Sequence, residues 1–240
     1  MRHAISKLSS YHLVATEASR DRLTRMGEAP ERIHVVGAPG LDGLVELAAG
    51  ERDEALAALG LPSAQPFILV VFHPVVQQAG LAHAQTRALM AALQPQGCPV
   101  LWLEPNADAG ALGVLQALDE SPLPPGSRRV AHLDRALFAQ AMRHAAVMVG
   151  NSSSGIIEAA SFGTPVINIG DRQRLRERNA NTVDVPAETQ ALGTALQQAL
   201  ARERHPGHNR YGDGLAGDRI VDLLTRLPLA PSVLEKTNAY

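Results

Sequence analysis

A single cysteine, Cys98, stands in a chain of 240 residues. It excludes an intramolecular disulfide framework, and with no CxxC partner it offers no thiolate metal site. Aromatic residues make up only 3%, and the one tryptophan, Trp102, reads as core, which excludes a base-stacking platform. Lysine and arginine (22) do not outnumber aspartate and glutamate (24), and no basic block occurs, so nucleic acid is not expected as a partner. No apolar run approaches the roughly 20 residues that span a bilayer. The opening MRHAISKLSSYH has no apolar core of a signal peptide. No membrane partner is expected, and a reducing, cytoplasmic setting is the default. His132, His144, His205 and His208 fall at no paired spacing typical of zinc, and a GxSxG nucleophile elbow is absent. Neither a metal nor a cofactor is expected.

What is present is alternation. Hydrophobic residues make up 45% of the chain, enough for a substantial core. Apolar runs at 11–16, 33–37, 67–72, 100–104, 147–149 and 166–169, with a shorter one at 129–132, predict strands. Helical spacing at 19–26, 41–59, 82–93, 109–118, 134–144, 188–203 and 219–227 predicts helices between and after them. Strands alternating with helices predict an α/β fold with a Rossmann-like, doubly wound parallel sheet. Ligands on such sheets lie at the carboxyl ends of the strands. The loops FHPVVQQ, EPNADAG, GNSSSG and GDRQR all follow predicted strands.

The most informative stretch is VMVGNSSSGIIEAASFGTPVINIG, residues 147–170. An apolar run breaks at Gly150, a small-residue loop follows, and a helical pattern carrying Glu158 leads to a second apolar run. Strand, small-residue loop, helix, strand builds an anion site from loop N–H groups, with Ser152 and Ser153 adding donors and Gly155 admitting close approach. Glu158, expected within the first turn or so, is placed to accept sugar hydroxyls while the loop holds phosphates. The plainer reading is a serine N-cap and a glutamate favoured by the helix dipole. His73 ends a buried-strand pattern before Pro74 and suits acid, base or phosphate contact; its plainer reading is a loop hydrogen bond. Asn106 and Asp108 fit either a ligand contact or an Asx-turn. Arg172 suits a charge-assisted phosphate contact, whereas Arg174, Arg176 and Arg178 read equally as a solvated face or partners of Glu177.

At these residues the chain resembles the UDP-N-acetylglucosamine 2-epimerase family, in its hydrolysing branch. The segments that carry the resemblance are RHAISKLSSYHLVATEASRDRL, IHVVGAPGLD, FHPVV, PNADAG, GNSSSGIIEAASFGTPVINIGDRQ and HNRYGDGLAGDRIVDLL, in family order to about Leu224. FHPVV stands where the other branch usually shows a GHRRE-like stretch, which with GNSSSG and GDRQ favours the hydrolysing side. The resemblance implies the C-terminal domain of a glycosyltransferase-B-type fold, whose active site lies in the cleft between two Rossmann-like domains. It implies conversion of UDP-N-acetylglucosamine and water to N-acetylmannosamine and UDP through 2-acetamidoglucal, feeding sialic-acid-like or surface-polysaccharide synthesis. His73 then matches the active-site histidine, Ser152 and Ser153 the diphosphate serines, and Glu158 the acid holding the ribose. Arg172 and Asn106 match nucleotide contacts, and the backbone at Leu133 is expected to read the uracil edge.

The resemblance starts inside the family's pattern at Met1-Arg2-His3, and family members run well over 350 residues. Residues 1–40 are therefore expected to be a remnant of the first Rossmann-like domain, 41–225 the UDP-binding domain, and 226–240 a mobile tail. The carboxylates expected at C2 of the sugar have no match, so activity is expected to depend on that first domain. A UDP-2,4-diacetamido-trideoxy sugar, a non-catalytic UDP-binding module or truncated fragment, and a sugar-transferring enzyme are the alternatives, and a homodimer is compatible with the family.

Overall fold

A computed structural model describes residues 2–239; Met1, where the resemblance starts, and Tyr240, the end of the expected tail, lie outside the described residues. The chain divides into two compact units, one formed by residues 1–44 with 209–240 and the other by 45–208.

The larger unit holds the expected parallel sheet. Its strands are β3 (Ile68–Val71), β4 (Val100–Leu103), β5 (Arg128–Val130), β6 (Val147–Gly150), β7 (Val166–Ile169) and β8 (Thr182–Val185), numbered after β1 (His12–Val14) and β2 (Ile33–Val35) of the smaller unit. They pair in the order β5-β4-β3-β6-β7-β8, all parallel. The order runs outward from β3 in one direction, then returns to β6 and runs outward in the other. The β3/β6 boundary, with Ile68 opposite Val147 and Val71 opposite Gly150, is thus the topological switch point.

Central strands buried on both faces need helices on both, and the sequence supplies them. The helices of this unit are α4 (Arg52–Leu59), α5 (Ala82–Leu93), α6 (Ala111–Glu120), α7 (Arg135–His144), α8 (Ser153–Ile157) and α9 (Thr189–Leu200). On one face Ile68, Val70, Trp102, Val149 and Ile167 pack with Leu89 and Leu93 of α5, Val114 of α6, and Leu192 and Leu196 of α9. Alternation sends the intervening side chains to the other face, where Gly155 of α8 comes close to Val166 and Met148. Trp102 is fully buried.

Two sequence expectations are corrected here. The helix expected over 41–59 breaks into α3 (Leu44–Leu47) and α4, because the chain turns between them at Gly50 with φ +131°, a conformation L side chains rarely adopt. Strand β8 was not anticipated: TVDV is a half-exposed edge strand without the continuous apolar run that marks β3 or β6.

The smaller unit holds α1 (Arg2–Leu8), β1 (His12–Val14), α2 (Glu17–Arg25), β2 (Ile33–Val35) and α10 (Ala216–Arg226). Strands β1 and β2 are parallel. Residues 209–225, expected within the large domain, belong to this unit instead. The reason is local: the Asp42 carboxylate accepts the N–H groups of Ala216 and Gly217 at 3.0 and 2.6 Å, and Ala38 N–H donates to Tyr211 O at 2.7 Å. The stretch expected as a mobile tail also packs here. Lys236 donates to Ser6 O and Ser9 O and pairs at 2.6 Å with the buried Glu28. Burial alone would raise the Glu28 pKa, but hydrogen bonds from Lys236, His12 and Lys7 hold it at about 2. No helix among the described residues is long and apolar enough to cross a membrane.

Candidate functional site

Four loops meet at the carboxyl edge of the large sheet, and one buried residue, through its side chain and its carbonyl, holds three of them together. Asn151 follows β6 and is 1% exposed. Its Oδ1 accepts the His73 N–H at 2.8 Å, and its Nδ2 donates to the His73 carbonyl at 2.8 Å. Its own carbonyl accepts from Arg172 Nη1 at 3.0 Å and from Gln173 Nε2 at 2.9 Å. The loops after β3, β6 and β7 are thereby locked into one register, across the switch point and beyond it. The strands themselves approach so closely there that a Cβ on Gly150 would stand 2.0 Å from the Val71 carbonyl oxygen.

The fourth loop, after β4, reaches His73. The Asn106 N–H donates to His73 Nδ1 at 3.3 Å, so Nδ1 is the unprotonated nitrogen and Nε2 carries the hydrogen of the neutral ring. Burial depresses the His73 pKa, the nearby Arg172 depresses it further, and Asp108 opposes both. The ring is therefore neutral near pH 7 and presents a donor at Nε2. The Asn106 side chain donates to the Asp108 carboxylate at 2.6 Å, a side-chain pair in place of the expected Asx-turn, while the Asn106 backbone N–H serves the histidine.

Ser152 caps α8: its Oγ accepts the Ser154 N–H at 3.3 Å and shares a 2.8 Å hydrogen bond with Ser154 Oγ. Ser153 opens the helix. Helix α8 is only five residues long, and Glu158 lies at its end, where a 3-10 turn (Ala159–Phe162) takes over, and not in its first turn. The Glu158 carboxyl is half-buried; burial raises its pKa, and the charge of Arg135 pulls the other way. Leu133 sits, partly buried, in the loop between β5 and α7, one residue before Asp134, whose carboxylate caps α7 by accepting the Leu137 N–H at 2.8 Å.

The structure thus brings His73, Asn106 and Arg172 together around Asn151, with Ser152 and Ser153 following Asn151 directly. Glu158, at the end of α8, feels the charge of Arg135, the first residue of α7, and Leu133 lies two residues before Arg135. Asn151 and Gln173 were not anticipated, because their partners lie up to 78 positions away in sequence. Arg178 turns to β8, with its Nε at 3.0 and 3.1 Å from the Asp184 carboxylate. No group of three or more histidine, cysteine, aspartate or glutamate side chains among the described residues is placed to hold a metal ion.

The family model for UDP-N-acetylglucosamine 2-epimerase matches residues 1–225. The chain belongs to this family. The "UDP-N,N'-diacetylbacillosamine 2-epimerase (hydrolyzing)" of Legionella pneumophila is 42% identical over 240 residues, all of this chain and 64% of that protein. The UDP-N-acetylglucosamine 2-epimerase of Neisseria meningitidis is 33% identical over 219 residues, covering 89% of this chain and 56% of that protein. The chain therefore spans less than two thirds of the length of either relative. A crystal structure of the Neisseria meningitidis epimerase bound to UDP-GlcNAc superimposes with a TM-score of 0.75 at 18% identity, over 92% of this chain and 63% of that one. The family's fold is that expected from the sequence: the C-terminal, Rossmann-like domain of a glycosyltransferase-B-type architecture.

Proposed function

We propose that this chain is the nucleotide-binding part of a hydrolysing UDP-sugar 2-epimerase. The observation that carries the reading is the bracing of His73, the serine loop and Arg172 on Asn151 at the switch point, where parallel α/β sheets bind nucleotides. In this reading the diphosphate lies over Ser152 and Ser153, beside the Arg172 guanidinium. His73 Nε2–H points its hydrogen bond at the departing phosphate. The diphosphate's charge raises the histidine's depressed pKa, so the ring can share or deliver a proton as the C1–O bond breaks. Glu158, whose burial makes an unpartnered carboxylate costly, accepts the two ribose hydroxyls. Asn106 and the Leu133 backbone face the uridine.

The chemistry is elimination followed by hydration. A base takes the proton at C2, the C1–O bond breaks, UDP departs, and a 2-acetamidoglucal remains. Water then adds, its hydroxyl to C1 and its proton to C2 on the opposite face, giving the free 2-epimer. No carboxylate in the matched segments fills the role of C2 base, so turnover depends on a further domain supplying it. UDP-N-acetylglucosamine is the family's namesake substrate, but the 42% identity to a diacetylbacillosamine epimerase favours a 2,4-diacetamido-trideoxy sugar here.

Calorimetry with UDP is the direct test. Saturable one-site binding is expected of this chain, and absence of heat at millimolar UDP overturns the reading. Given a UDP-2-acetamido sugar, the chain alone is expected to release no free sugar above background; measurable release removes the dependence on a further domain.

A further inference from the structure

A second cleft opens at the opposite, amino-terminal edge of the same sheet. Pro66, just before β3, His144, just before β6, and Phe162, before β7, all line it. Its volume is about 690 Å³, and Arg52, Arg143 and Arg204 complete its charged wall. No carboxylate is among the lining residues. Arg143 and Arg204 pair with no carboxylate among the described residues, and Arg52 reaches only its neighbour Asp53, at 3.7 Å.

We propose that this cleft binds a small phosphate-bearing anion, either free phosphate or a phosphomonoester, at a site separate from the nucleotide loops. The three guanidinium groups are fixed in advance. Arg52 donates to Ser63 O and Gln65 O at 2.6 and 2.7 Å, and Arg143 to Ala48 O at 2.8 Å. Arg204 donates to Ala145 O at 2.6 Å, Phe162 O at 3.3 Å and Thr164 Oγ1 at 2.9 Å. Each bond uses part of a planar five-donor fork and immobilises the rest, so little side-chain entropy remains to be lost on binding. His144 lines the cleft, and its buried Nε2 has no hydrogen-bond partner among the described residues. The field in the cleft is positive: burial and then Arg143 depress the Arg204 pKa, while burial and then Arg143, Arg204 and Arg52 depress that of His144, opposed only by Glu51. Converging like charges fixed without a counter-charge favour a compact anion with several acceptor oxygens, and the volume accommodates a small metabolite attached to it.

The test uses the full chain at low ionic strength, titrated calorimetrically with inorganic phosphate and with glycerol 3-phosphate, with and without saturating UDP. Saturable binding that persists when UDP is bound is expected. Tighter binding of one probe identifies free phosphate or phosphomonoester as the ligand. Arg143→Gln is expected to weaken binding at least tenfold and Arg143→Lys to retain most of it. Arg143 makes one carbonyl bond, so its substitution leaves the fold intact, which circular dichroism checks. Binding that is absent, fully displaced by UDP, or unchanged in Arg143→Gln overturns the proposal. The phosphate titrations without UDP and the Arg143 variants read the cleft by itself, so they stand or fail separately from the nucleotide assignment, which the UDP titration decides.

Discussion

The two edges of the large sheet solve opposite electrostatic problems. At the carboxyl edge, strands run into helix amino termini, where unpaired N–H groups lend a partial positive charge. Few cations are needed there, and the loops are braced by a neutral amide, Asn151, with serines and a glycine around it. At the amino edge the chain arrives from helix carboxyl ends, and carbonyl oxygens crowd together. Arg52, Arg143 and Arg204 are spent first on the carbonyls of residues 48, 63, 65, 145 and 162. Only their remaining donors face the cleft. An anion site comes with the polarity of a parallel sheet at one edge and has to be assembled from guanidinium groups at the other.

Substitutions separate the two edges, beginning with the strongest effect. Gly150→Ala places a methyl group 2.0 Å from the Val71 carbonyl oxygen in a backbone conformation at φ +142°. A loss of about 3 kcal/mol or more in urea unfolding is expected, together with UDP binding; a loss under about 1 kcal/mol means that the switch point is not the rigid seam described. Asn151→Ala strands the His73 N–H and carbonyl. Destabilisation of about 2 kcal/mol is expected, with UDP affinity down more than tenfold, because each unmade buried bond costs about 1–3 kcal/mol. Stability lost with affinity unchanged reduces Asn151 to a scaffold residue.

Glu158→Ala is expected to leave stability level or slightly raised, since burial already disfavours its charge. It should weaken UDP about tenfold, the value of a charged hydrogen bond. With 2′-deoxy-UDP the parent and the variant should differ less, and an equal difference refutes the ribose contact. Arg143→Gln probes the other edge and should shift UDP affinity by less than about twofold. The smallest effect is that of pH. The His73 pKa is depressed in the folded chain, so protonating it below its ordinary range costs stability, and that cost vanishes as pH rises above the unfolded pKa. A diphosphate favours the charged ring, so UDP affinity should gain an increment as pH falls from about 7.5 to 5.5. His73→Gln should lose that increment while keeping the part due to the phosphate's own titration.

Much of this was legible in the sequence, and what escaped has a common cause. Strands β3 and β6 declare themselves because burial on both faces demands unbroken apolar runs. Edge strand β8, with Asp184 turned to Arg178 and Asn168, shows no such run. His73, Ser152 and Arg172 were visible because each follows a strand that could be read locally. Asn151 and Gln173 were not, since an amide carries no periodic signal and their partners lie on other loops. The place of Glu158 escapes for a related reason: GIIEAASFG keeps helical spacing, while the structure ends α8 and changes to a 3-10 turn at Glu158, outside the first turn.

The β3/β6 seam also sets a clock. Ile68 must find Val147 only after the intervening β4, β5 and three helices have been accommodated, and such long loop closures are slow relative to local helix formation. The clamp from Asn151 to His73 cannot close before that pairing does. Recovery of UDP binding during refolding should therefore trail the return of helical circular dichroism, making the ligand a reporter of the last kinetic phase.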